Sequence, residues 1–188
     1  MKGPVSTNLK ASFLANTKGL TQVQIDWLTR RNGVPPLALA YDGDGYGWPI
    51  GAAKVERVGR RFQFRPEDGV GAFVVIARDD LGGPADLVAY EPKAGWTAPW
   101  LGAVPLLGLQ DLLAQRDDGP LRVHRDMLTW LQDDRAGVVI LAPGEARRIL
   151  EGLTLQADDL AHGEDLRRLL TPPRPRIMVP ALSNLEAA

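Results

Sequence analysis

"GAFVVIARDDLGGPADLVAYEP", from Gly71 to Pro92, contains two apolar runs of strand length joined by "DLGGPAD", a stretch made for turning the chain. Neither run has a helical period, and a Gly-Gly-Pro turn between two such runs brings them together as antiparallel neighbours. Working outward, "PLALAYD" (36–42), "AAKVERVGRRFQFRP" (52–66) and "WTAPWLGAVPLLG" (96–108) repeat the pattern of short apolar stretches between turn signals. Phe62 and Phe64 alternate with Arg61, Gln63 and Arg65, as a strand with one buried face requires. From Leu37 to about Leu107 the chain reads as a β meander.

Before this region, residues 1–20 are polar and small and read as an N-terminal arm or loosely held cap. "TQVQIDWLTRRNGVPP" (21–36) is a helix. Thr21 and Gln24 have capping-box spacing, and Val23, Trp27 and Leu28 recur on one face. Arg30 and Arg31 suit the negative end of the dipole, and Gly33 with two prolines stops the helix. Strand-like "LALAY" follows it, so no second helix completes a helix-turn-helix.

After Leu107 the period changes. "LLGLQDLLAQRDD" (106–118) reads as a helix or turn-rich connection, "DMLTWLQDD" (126–134) as a helix with Met127, Leu128 and Leu131 inward, and "AGVVILA" (136–142) as a buried strand. Pro143 opens a helix that Gly152 closes, "LTLQAD" (153–158) is a short strand, and "DLAHGEDLRRLL" (159–170) is a helix carrying Leu160, Leu166, Leu169 and Leu170. A proline-stiffened crossing leads to a last strand, Ile177 to Val179. The sequence therefore predicts an α+β fold: an antiparallel β meander in the N-terminal half, then βα units in the C-terminal half. The expected organisation is a single domain over 21–180, with a subdivision near 108, and a tail over 181–188.

Composition excludes several functions. The 188 residues include no cysteine, which removes disulfides, thiolate zinc sites and cysteine nucleophiles. Serine occurs only at positions 6, 12 and 183, with no nucleophile elbow. None of the five lysines is followed by Ser or Thr, so there is no Walker-type phosphate loop. No apolar run reaches the eighteen residues of a membrane span and no secretory leader is legible, so we expect a cytoplasmic protein without membrane contact. Residues 1–70 hold 10 basic and 6 acidic side chains, residues 71–188 hold 12 and 17. That excess is short of the basic stripe of a nucleic-acid binder.

Several clusters bear on function. "AYDGDGYGWPI" (40–50) places Asp42 and Asp44 among glycines, but Tyr46 and Ala53 stand where a calcium loop needs its fifth and twelfth ligands. Asp-Gly twice between strand-like runs is hairpin chemistry, with an ion or ligand loop as the lesser alternative. The chain has two histidines, His124 and His162. Asp158 and Asp159 fall three and four residues before His162, on one face of a helical first turn, as in a metal or proton-transfer pair; a capping aspartate beside a surface histidine is the plainer account. Asp126 suits a helix cap, and Arg122 and Arg125 beside His124 are placed to bind an anion. Asp79 and Asp80 end a strand at the Gly-Gly-Pro turn, where metal-dependent nucleases present carboxylates and where ordinary turns use them too. Trp96 and Trp100 offer stacking faces, and Arg60 and Arg61 a basic patch.

"DLVAYEP", "WLGAVPLLG", "LTWLQDDRAGVVIL", "LQADDLAHGEDLRRLL" and "PRPRIMVP", in that order over about residues 70–180, resemble small uncharacterised proteins encoded by bacterial prophages and related mobile elements, often near replication genes. The resemblance implies a setting rather than a mechanism, and it takes in Asp158, Asp159 and His162. Two readings follow. One is a non-enzymatic accessory protein without cofactor, binding a protein or nucleic-acid partner in DNA transactions. The other is a metal-assisted phosphodiester hydrolase using Asp158, Asp159 and His162 with Asp79 or Asp80, which requires those side chains to converge.

Overall fold

The computed structural model describes residues 5–39, 50–112 and 119–172. Five strands form the first sheet: β1 (Gly51–Val58), β2 (Arg61–Phe64), β3 (Val70–Arg78), β4 (Pro84–Glu91) and β5 (Trp96–Pro99). Every pairing is antiparallel, as expected, but the order is β2-β1-β3-β4-β5: β3 returns to pair with β1 rather than with β2, which departs from a simple meander. Gly59, with φ +62°, takes the first central position of the tight turn closed by Val58 and Arg61, where a II′ hairpin needs positive φ.

β1 changes partner along its length. Gly51–Val55 pair with β3, and Val55–Val58 pair with β2. The sheet curls accordingly, and its two edges meet: Phe64 of β2 packs edge-on to Trp100, 5.8 Å between ring centroids, and Arg57 lies over the Trp96 ring.

Period-two alternation divides the core. Val55, Ala72, Val74, Leu87 and Ala89 face into the curl, while Phe73, Val75, Ala77, Val88 and Tyr90 face outward into a second apolar cluster. Because both faces are covered, β3 and β4 read as continuous apolar runs.

The curl is filled by a helix that the sequence does not announce. Residues Val5–Asn16 form α1, whose Leu9 and Phe13 are buried among Val55, Phe62 and Val74. This replaces the expected loose arm over 1–20. Two large apolar residues four apart are too faint a stripe to predict a helix, and here the sheet supplies the rest of the apolar surface. Gly51 lies so close to this helix that an added Cβ would fall 2.6 Å from Thr17 and 2.9 Å from the Phe13 ring.

The expected helix after Thr21 is present as α2 (Gln22–Asp26) followed by one π-helical turn over Trp27–Arg31, with both halves of the capping box formed. Its buried face differs from expectation. Leu28 is buried and Trp27 stacks on Phe73, but Val23 is 79% exposed. "LALAY" is no strand where it is described: Pro36–Leu39 form a helical turn, α3, because proline sits well at a helix start. The "DGDG" tract lies outside the described residues.

The second sheet contains β6 (Leu106–Leu107), β7 (Leu121–His124), β8 (Val138–Ile140) and β9 (Leu155–Gln156), ordered β6-β8-β7-β9. β7 runs parallel to both β8 and β9, and β6 is antiparallel to β8. Helices α4 (Met127–Gln132), α5 (Pro143–Leu150) and α6 (Leu160–Leu170) follow β7, β8 and β9 in turn, as the expected βα units. Asp126 caps α4 as predicted. On α4 the buried residues are Met127, Trp130 and Leu131, with Leu128 only half-buried; on α6 Leu166 is buried whereas Leu160 is 83% exposed and Leu169 also faces solvent. Met127, Trp130 and Leu131 pack with Phe73, Val75 and Val88, so α4 joins the two sheets through one core. The expected last strand, Ile177–Val179, lies outside the described residues. Among the described residues no helix is long and apolar enough to cross a membrane.

One buried carboxylate directs the chain from the first sheet to the second. Asp86 is 0% exposed, and its oxygens accept N–H groups from Leu87, Leu101 and Ala103, each at 2.8 Å. Asp86→Ala leaves those donors without an acceptor and is expected to cost about 3 kcal/mol. Asp86→Asn, which keeps an oxygen, is expected to cost less. Urea denaturation midpoints of the two variants check this, and an Ala variant as stable as the parent contradicts it.

A histidine and carboxylate cluster at the carboxyl edge of the second sheet

The parallel register of β7 and β9 pairs Arg122 with Gln156, so the residues two places on, His124 and Asp158, come level at the carboxyl ends of the two strands. That is where α/β sheets place their ligands. Both histidines of the chain meet there. His124 Nδ1 is 3.4 Å from Asp158 Oδ1, and His162 Nδ1 is 3.2 Å from Asp158 Oδ2. Each histidine is 4% exposed.

His124 also reaches the loop after α4. Its Nε2 is 2.9 Å from the Ala136 carbonyl and 3.4 Å from Asp133 Oδ2. A carbonyl only accepts, so Nε2 carries the proton in the neutral ring, and Nδ1 is then a bare acceptor facing a carboxylate. Nδ1 is buried and has no hydrogen-bond partner. The loop it holds is strained: Asp134 and Arg135 are consecutive non-glycine residues with φ +51° and +65°.

The acidic residues are engaged. Asp159 is the N-cap of α6, accepting the His162 backbone N–H at 2.8 Å and the Arg125 guanidinium at 3.1 Å. Those donors, the His162 N–H foremost, hold its carboxyl below the ordinary value of 3.8, against a smaller opposing effect of desolvation. Asp158 accepts the Arg125 backbone N–H at 3.0 Å, and its own N–H points at His162 Nδ1, 3.2 Å away. Arg122 binds Asp133 at 2.7 Å.

Asp158, Asp159 and His162 are therefore brought together, with His124, Asp133 and Arg125 added by the fold. Metal chemistry fits them poorly. The lone pair of His162 Nδ1 is directed at an N–H, Asp159 is used by the helix cap, and among the described residues no group of three His, Asp or Glu side chains is arranged to hold a metal ion. Asp79 and Asp80 lie in the turn between β3 and β4 of the first sheet. Asp79 accepts the N–H groups of Leu81 and Gly83 and so serves the β3–β4 turn.

The binding candidates stand elsewhere. Trp96 and Trp100 are half-buried against the inner core of the curled sheet, and the Arg61 guanidinium lies over the backbone at Gly102. Arg60, at the tip of the β1–β2 turn, borders an open cleft of about 550 Å³ with Ala142, Gly144, Glu145, Arg147 and Arg148 at the start and exposed side of α5. Arg147 and Arg148 are legible in the sequence only as last-turn charges of a helix, since nothing local ties them to Arg60.

Because the Asp159 carboxyl titrates lower in the folded chain than in the unfolded one, its contribution is present above the ordinary value of 3.8 and is lost as pH falls through the depressed folded value. Asp159→Asn is expected to be less stable than the parent near neutrality, with the difference shrinking in acid. Denaturant midpoints measured at neutral pH and near about pH 3 check this; a difference that does not shrink contradicts it.

Comparison with known proteins adds no relative: no family model matches the chain, and no curated protein and no solved structure does either.

Proposed function

We propose that the chain is a non-enzymatic accessory module that binds nucleic acid through the basic surface shared by the β1–β2 hairpin and α5, in the prophage or mobile-element setting that its motifs resemble. The observation that carries this reading is the meeting of Arg60 with Arg147 and Arg148 in one cleft, where Glu145 is the single acidic residue among the described ones that line it. The hairpin is basic in its own right, since Lys54, Arg57, Arg60, Arg61 and Arg65 fall within twelve residues that contain one acid, Glu56, although only Arg60 of them lines the cleft. Arg65 is paired with Glu56, and Arg57 lies over Trp96. Among the described residues no ion pair neutralises Arg60 or Arg148. Free guanidinium groups on a rigid ribbon and a neighbouring helix suit a phosphate backbone. The cleft also adjoins the carboxyl end of β8, the side of such sheets on which ligands are held.

The hydrolase alternative rests on the gathering of both histidines around Asp158. The burial of both rings and the occupied lone pair of His162 Nδ1 weigh against it.

Fluorescence anisotropy with labelled duplex DNA, single-stranded DNA and RNA, read across salt concentrations and with and without Mg²⁺, tests the proposal. Duplex binding is expected to weaken with salt. The Arg60→Ala/Arg148→Ala double variant is expected to reduce the slope of log affinity against log salt by about 1.8, the value for two lost phosphate contacts. An unchanged slope, or no binding at all, defeats the proposal. Metal-dependent cleavage abolished by His162→Ala favours the hydrolase.

A further inference from the structure

We propose that His124, Asp158 and His162 form a proton-operated latch that clamps the first turn of α6 onto the end of β7. The inference is independent of nucleic-acid binding. It rests on one anomaly, the His124 Nδ1 atom, buried, without a hydrogen-bond partner and 3.4 Å from Asp158 Oδ1.

Leaving a buried acceptor against a carboxylate is unfavourable, and the remedy is a proton. When His124 takes a proton at Nδ1, the bare acceptor becomes a donor, and the contact with Asp158 becomes a charge-assisted hydrogen bond across the β7–β9 junction. The Nε2–H bond to Ala136 fixes the ring, and a small approach of Asp158 closes the 3.4 Å contact to hydrogen-bond length. His162 behaves differently. Its Nδ1 already accepts the Asp158 N–H, and a proton there would exchange that bond for one to Asp158 Oδ2. The contact that a proton would complete is therefore the one at His124.

The charged groups around the ring are consistent with holding an imidazolium. From β7, Arg122 is drawn onto Asp133. From the loop after α4, Asp133 Oδ2 lies 3.4 Å from Nε2. From the β7–α4 junction, Arg125 gives its guanidinium to Asp159. From the start of α6, Asp158 faces Nδ1 and His162 flanks it. With both histidines neutral, three carboxylates outnumber two guanidinium groups. One proton on His124 balances the cluster.

α6 is tethered at its other end by Arg147, whose Nη2 donates to the carbonyls of Leu169 and Thr171 at 3.2 and 3.1 Å. The latch thus acts on the first turn of a helix whose last turn is separately held. The latch is closed when both ring nitrogens of His124 carry a proton and open when Nδ1 does not.

Amide hydrogen exchange of α6, corrected for intrinsic rates, reads the latch at about pH 5 and about pH 8, either side of the range in which imidazole titrates. Protection of the first turn is expected to be at least about tenfold higher at the lower pH, the effect of one hydrogen bond to a charged group. His124→Gln and Asp158→Asn are expected to lose this response, and His162→Gln to keep it. A pH-independent first turn in the parent overturns the proposal, as does a response that survives His124→Gln. Should these variants fail to fold, ring ¹⁵N spectra of the parent decide. Neutral His124 in the Nε2–H tautomer is expected; the Nδ1–H tautomer overturns the latch.

Discussion

Asp86 is the constraint on which the arrangement of the two sheets depends. Its carboxylate lies in the interior of β4, where a charge is costly, and is satisfied by three backbone N–H groups, two of them from Leu101 and Ala103 on the segment leaving β5. That segment is the only covalent passage from the curled sheet to β6. By fixing where it leaves, Asp86 sets how the second sheet meets the first. The core shared by Phe73, Val75 and Val88 with Met127, Trp130 and Leu131 is built on that placement.

With the second sheet placed, its carboxyl edge collects the polar chemistry of the chain. The ends of β7 and β9 bring His124 level with Asp158, and the end of β8 leads into α5 beside Arg60 of the opposite sheet. The two collections differ in character. Around the histidines every carboxylate is bonded and both rings are buried, although Asp159 and Arg125 reach solvent, which suits a structural clamp. Around Arg60 and Arg148 the charge is open and unpaired among the described residues, which suits a partner. α6 lies beside both, because its first turn belongs to the histidine cluster and its last turn is tied by Arg147.

Elements whose signal is local were legible in the residues. "AFVVIA" and "LVAY" around a Gly-Gly-Pro turn are strands for steric reasons that no tertiary context reverses, and the Thr21–Gln24 capping box and Asp126 cap follow from side-chain reach over three residues. The "DLGGPAD" turn shows the limit of such reading. Its second aspartate, Asp86, is a buried strand residue rather than part of the turn, a role set by Leu101 and Ala103, fifteen and seventeen residues away. α1 was illegible for a related reason, since Leu9 and Phe13 become a buried stripe only when the curled sheet supplies their surroundings.

The sequence by itself determined the α+β class, the antiparallel strands of the first half, the alternation of helix and strand after Leu107, and the grouping of Asp158 and Asp159 with His162, all of which depend on periodicity or on reach within one helical turn. Only the tertiary structure decided that His124 completes that group, that Asp159 serves as a cap, and that Arg60 stands beside Arg147 and Arg148. The contacts of His124 with Asp158 and of Arg60 with Arg148 span 34 and 88 positions and are fixed by strand register and by packing between sheets, neither of which leaves a trace in any short stretch of the chain, whereas the Asp159 cap is local and was one of two readings that the residues allowed.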